Sequence, residues 1–131
     1  MNNEQGMEGW EVISSYLRRD ALEDGVLVDV SEFAREAGFK WPLAVTQGVW
    51  AILEPSDELK AEGQSWKGRA WDMLTILRYA IRSASRPDEV RFSPLFVLKP
   101  GRKAESVALR AKSGPGDDAE AVITIMLPDE D

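Results

Sequence analysis

The amino-acid sequence predicts a single-domain α+β fold, with N-terminal helices packed on a C-terminal antiparallel sheet of about three to four strands. Three observations predict it. The chain has 131 residues, close to the commonest size of a domain with one core. Apolar residues recur at helical spacing over residues 69–84, and from Leu95 onward the apolar period falls to two, as strands require. Residues 1–9 read as a disordered N-terminal tail, 10–127 as the domain and 128–131 as an acidic C-terminal tail.

The elements follow in order. Residues 11–14 suggest a short strand, and residues 17–24 a short helix that Gly25 stops. The β-branched run at 26–30 reads as a strand expected at the sheet's edge. Ser31 suits the N-cap of a helix over 32–37, with Glu32 in its first turn, Gly38 past its end and Pro42 beyond. Residues 43–53 carry Val45, Val49, Ile52 and Leu53 at helical spacings, against the weak helix former Gly48, and read as helix. Residues 55–63 read as a polar linker.

Over 69–84, the residues Ala70, Met73, Leu74, Ile76, Leu77, Ala80, Ile81 and Ala84 fall on an arc of roughly 160°, the face expected in the core. The opposite arc holds Trp71, Asp72, Thr75, Arg78, Tyr79 and Arg82. Residues 85–88 then lead to strands at 95–98, 107–112 and 121–127, joined as an antiparallel meander by turns at 99–103 and 113–118.

Composition narrows the chemistry. With no cysteine and no histidine, the chain has no disulfide, no thiolate or imidazole metal site and no histidine base. Carboxylates, Lys, Arg, Tyr, Ser and Thr remain, and no cofactor is implied. A net charge of −7 and a pI near 4.7 disfavour generic nucleic-acid binding, which needs a surplus of cations on some face. No apolar run approaches the roughly 20 residues that span a bilayer. The first nine residues lack a basic cluster followed by an apolar stretch, so a cytoplasmic location without membrane association is expected.

Two motif matches fail. Gly63 and Gly68 are spaced as in a phosphate loop, but the lysine and hydroxyl that hold phosphate and magnesium are missing, and the stretch is one residue too long for a serine nucleophile elbow. Residues 20–31 open like a calcium loop, yet Leu22 and Ser31 stand where acidic ligands belong.

Three groups remain. Asp117, Asp118 and Glu120 sit in a Gly- and Pro-containing connection that suits either a hard cation and general-base work or a strand turn. Lys99, Arg102, Lys103, Arg110 and Lys112 form a basic strip, read either as an anion or RNA patch or as the solvated side of a sheet. Trp71, Thr75, Arg78, Tyr79 and Arg82 form a helical face rich in the residue types of binding hot spots. A protein partner is expected for that face, with a second copy of the chain among the partners considered.

The stretches YLRRDALEDGVLVDVSEFAREAGF (16–39), WPLAVTQGVW (41–50) and GPGDDAEAVITIMLPDED (114–131) resemble a family of small uncharacterised bacterial proteins often labelled plasmid-related. The resemblance implies a bacterial host and a link to plasmids or other mobile elements, and it implies no catalytic residues.

Overall fold

A computed structural model describes residues 18–85 and 88–130. The expected tail at 1–9 and the strand at 11–14 lie outside them. Residues 18–23 are helical and are designated α1. There follow β1 (Leu27–Asp29), α2 (Ser31–Glu36), β2 (Leu43–Thr46), α3 (Gln47–Leu53), α4 (Asp57–Ala61) and α5 (Trp66–Ser83), then β3 (Glu89–Phe92), β4 (Leu95–Phe96), β5 (Glu105–Ser106), β6 (Leu109–Pro115) and β7 (Ala121–Met126).

One five-stranded sheet runs in the order β1-β2-β7-β6-β3, and β4 pairs with β5 as a separate short ribbon. Strands β2 and β7 are parallel, with Val45 opposite Ile125; the other pairs are antiparallel. The expected sheet of three to four antiparallel C-terminal strands is therefore corrected. It is mixed, wider, and built from both halves of the chain.

The reason lies in residues 43–46. All four are buried, because β2 sits between two strands with both faces covered, and such strands lack the alternation that marks a half-exposed one. A short apolar run of this kind also fits helical spacing. The switch comes at Thr46, whose extended backbone and side-chain oxygen, 3.3 Å from the Val49 amide, cap α3.

Four other expectations change. Residues 55–63 contain α4, capped by Ser56 and anchored by buried Leu59, so a single apolar residue was all that distinguished it from a linker. Ser31 is not a cap: Val30 holds that position without a side-chain bond, and the Ser31 hydroxyl donates to Asp29 Oδ1 and accepts the Leu43 amide at 2.9 Å. Strand β3 forms where none was expected, and the expected strand at 95–98 shrinks to Leu95–Phe96.

Helices α2, α3 and α5 bury one side each against one face of the sheet. Leu43, Val45, Ile123, Ile125 and Leu109 meet Ala34, Val49, Leu53, Met73, Leu74 and Leu77. Of the arc expected to be buried on α5, Ala70, Met73, Leu74 and Leu77 are inside, whereas Ile76 (39% exposed) and Ile81 (44% exposed) stand out and Ala84 is exposed. Ile76 lies outside the stripe that meets the sheet, and Ile81 and Ala84 lie in line with it but beyond its end, in the last turn of the helix and just past it.

The other face of the sheet carries Ala44, Thr46, Arg110, Lys112, Val122, Thr124 and Met126, by the alternation of side chains along each strand. The Arg18 guanidinium reaches it from α1, donating to Thr124 Oγ1 at 2.9 Å. The acidic end also belongs to it, since Glu130 Oε1 accepts from the Thr46 hydroxyl and the Leu127 amide, both at 2.7 Å.

Truncating the buried stripe separates the two kinds of apolar residue on α5. Leu77→Ala is expected to cost about 2–5 kcal/mol, and Ile81→Ala no more than about 0.5 kcal/mol, both read from urea unfolding followed by circular dichroism.

Candidate functional site

Helix α5 is long enough to serve several neighbours at once. Ser65 caps it by accepting the Gly68 amide at 3.1 Å. The face of Trp71, Thr75, Arg78, Tyr79 and Arg82 is brought together along its exterior, but its members do different work. Thr75 turns back to donate to the Trp71 carbonyl at 2.8 Å. Arg78 crosses to α2, where Nη1 donates to the Ala37 carbonyl at 3.1 Å and the guanidinium lies over Gly38. It satisfies a carbonyl at that helix's C-terminal end, where a cation is favoured.

Trp71 is 47% exposed and meets Phe33 edge-on, the ring centroids 6.1 Å apart. It also lines an open groove of 570 Å³ with Gly68, Asp72 and the exposed Leu95. Tyr79 is 62% exposed, with the Arg82 guanidinium 6.0 Å from its ring centre, at the outer limit for a cation–π contact.

The basic strip is divided. Lys99, Arg102 and Lys103 are exposed in the connection between β4 and β5, which the Arg102 amide closes onto the Lys99 carbonyl at 3.2 Å. Arg110 and Lys112 belong to the five-stranded sheet instead. Arg110 is largely occupied: it lies 3.6 Å from Glu89 Oε1, donates to Met126 Sδ at 3.2 Å and holds the Glu130 carbonyl. Lys112 stands exposed opposite Glu89.

The carboxylates lie in the turn between β6 and β7. The Gly116 amide donates to the Glu120 carbonyl at 2.7 Å and the Asp118 amide to Glu120 Oε1 at 3.0 Å, with Ala119 at φ 66 between them. Asp117 faces Arg19, 3.8 Å away. Burial holds the Arg18 guanidinium below its ordinary value, while the carboxylates of Asp117, Glu120 and Asp29 oppose that shift. Among the described residues no three carboxylates converge as a metal site. The turn's own bonds engage the Glu120 carboxylate.

Two features escaped sequence reasoning. Arg69 is 6% exposed and bridges three segments: Nη1 donates to Ile52 O and Nη2 to Val97 O, both at 2.6 Å, and Nε to Gln64 Oε1 at 3.2 Å. Burial lowers its pKa. The signal was present, for Arg69 stands four residues before Met73 and eight before Leu77 on the buried stripe of α5.

The second feature is an open groove of 1110 Å³ on the second face of the sheet, lined among others by Arg18, Leu27, Thr46, Lys112, Thr124 and Met126. Its floor hydroxyls are engaged, Thr46 with Glu130 and Thr124 with Arg18. That arrangement suits holding a surface more than activating a nucleophile, which needs a hydroxyl placed against a base.

A family profile described as "Family of unknown function (DUF6573)" matches residues 1–131. No curated protein and no solved structure matches the chain. The family description names no activity and no host.

Replacing Arg69 tests the bridge. Arg69→Ala leaves the Ile52 and Val97 carbonyls without their donor and is expected to cost about 2–4 kcal/mol. Arg69→Lys should recover less than half of that, since one ammonium cannot reproduce a planar fork aimed at two carbonyls. Urea unfolding of both variants gives the comparison.

Proposed function

We propose that this chain, which belongs to the DUF6573 family of unknown function, is a non-enzymatic protein-binding factor of plasmids or other mobile elements, working in the bacterial cytoplasm as an accessory or anti-defence protein. One observation carries the reading. On the outer side of α5, Tyr79 is 62% exposed with the Arg82 guanidinium 6.0 Å from its ring centre, while the core is held by the other side of the helix. Neither side chain is needed to fold the domain. An exposed tyrosine beside an arginine presents area, a hydroxyl and a cation, the combination enriched where proteins bind one another.

Trp71 and Leu95 extend the apolar part of the surface. A matching partner would offer an apolar patch rimmed by acidic groups. The resemblance of residues 16–39, 41–50 and 114–131 to plasmid-related bacterial proteins supports the setting. The carboxylate-enzyme alternative has less support, because Glu120 is used by its own turn and Asp117 faces Arg19.

Affinity capture of the tagged full chain from a plasmid-bearing host is expected to retain a stoichiometric protein partner. Tyr79→Ala with Arg82→Ala should weaken that complex by about 30-fold or more, the effect of losing a hot spot worth about 2 kcal/mol. The control, Lys99→Ala with Arg102→Ala, should leave it unchanged. A complex indifferent to the Tyr79/Arg82 change would remove this surface from the reading, and capture of no protein would remove the reading itself.

A further inference from the structure

Among the described residues strand β3 ends the sheet, and its backbone pattern fixes what it offers outward. In the hairpin that β3 forms with β6, the Ser113 amide donates to Asp88 O and the Val107 amide to Pro94 O, both at 2.9 Å. Pairs at Asp88, Val90, Phe92 and Pro94 are thus the hydrogen-bonded ones, since bonded and non-bonded pairs alternate along an antiparallel ladder. The amides and carbonyls of Glu89 and Arg91 point the other way, out of the sheet. Beside them an open groove of 480 Å³ runs between β3 and the end of α5, lined by Ala80, Ser83, Ala84, Glu89, Val90 and Arg91. Ile76, 39% exposed, lies one turn before Ala80 on that side of the helix.

We propose that this edge is completed by a second copy of the chain, β3 pairing antiparallel with the partner's β3 about a two-fold axis at Val90. The sequence Glu89-Val90-Arg91 is self-complementary under that operation. Glu89 falls opposite the partner's Arg91, and Arg91 opposite the partner's Glu89. Both residues present outward amides and carbonyls, so both pairs become hydrogen-bonded ones and the two sheets become continuous.

Charge selects the register. Glu89 and Arg91 side chains share one face of the sheet, where opposite charges directly across are favourable and like charges are not. A slip by two residues would set glutamate against glutamate or arginine against arginine. On the core face the two copies of α5 then come side by side, with Ile76 and the small Ala80 and Ser83 between them. The bland alternative is that charges on a short edge strand merely discourage pairing. Within one chain Glu89 already meets Arg91 at 3.8 Å and Arg110 at 3.6 Å, and pairing about the axis adds the partner's Arg91 and Glu89 to that network.

The chain contains no cysteine, which permits a direct test with the full chain. Val90 on the axis would form a non-bonded antiparallel pair, with Cα atoms about 4.5 Å apart, inside the range a disulfide spans. Under mild oxidation Val90→Cys is expected to give a covalent dimer on a denaturing, non-reducing gel, while Glu58→Cys, exposed on α4, gives no such cross-link. Light scattering should give the unmodified chain twice the 14.6 kDa monomer mass. Arg91→Pro deletes an outward amide that β6 does not use, and Ile76→Glu charges the helix flank; each should return the mass to the monomer's.

A chain that stays monomeric to millimolar concentration overturns the proposal. So does a Val90→Cys dimer that forms no faster than the Glu58→Cys control, or a dimer that survives both Arg91→Pro and Ile76→Glu. The pairing requires neither Tyr79 nor Arg82. Loss of a captured partner in their double variant with the dimer mass intact would therefore separate this interface from the proposed binding face.

Discussion

The parallel pairing of β2 with β7 joins an early strand to the last one, and the rest of the structure is arranged around it. Leu43 and Val45 lie opposite Ile123 and Ile125, and that apolar layer is the floor on which α3 and α5 pack. Parallel strands require a long crossover. Here the intervening chain includes three helices and the hairpin that supplies β3 and β6. Closing so long a loop is entropically costly and is repaid only after both strands are in place. Among the described residues β1 has no sheet neighbour except β2, so its place in the sheet depends on the same pairing.

Several arginines convert this layered arrangement into a closed one. Arg69 holds carbonyls from the end of α3 and from the segment after β4, Arg78 a carbonyl at the end of α2, and Arg110 the carbonyl of Glu130. Each cation meets backbone oxygens that no helix or ladder satisfies, and a buried carbonyl without a donor is expensive. A guanidinium reaches two such oxygens at once because its donors are fixed in a plane. The cations of an acidic chain are thus partly structural, and a count of basic residues overstates what is available to a ligand.

How much was legible in the sequence follows from the same facts. The α5 stripe of Met73, Leu74 and Leu77 and strand β6 were readable from their period, and the strands at 27–29 and 121–126 from their β-branched content beside turn residues. Residues 43–46 were not, since burial on both faces erases alternation. Strand β3 was hidden because Glu89 and Arg91 alternate with only two apolar residues, Val90 and Phe92, too short a run to stand out beside Pro87 and Pro94. The α5 face was legible as a set of residues but not as a division of labour. That Arg78 reaches α2 while Tyr79 and Arg82 remain outward depends on where α2 ends in space.

Apart from Val26 and Trp41, the large exposed apolar side chains lie on α5 or beside it. Trp71, Ile76, Tyr79 and Ile81 all belong to α5, and Leu95 shares a groove with Trp71. Isolated exposed apolar residues are ordinary in a soluble domain, whereas a contiguous group rimmed by polar residues marks a place where something docks. Helix α5 has one side committed to the sheet and another tied to α2 through Phe33 and Ala37. Its remaining circumference runs from the β3 edge past Ile76 to Tyr79, a span of less than one helical turn. Two docking events on so narrow an arc cannot be independent in orientation. A second copy seated along β3 would fix where the Tyr79 faces of the two chains point, and a partner reading both would meet them as a pair related by the dimer axis.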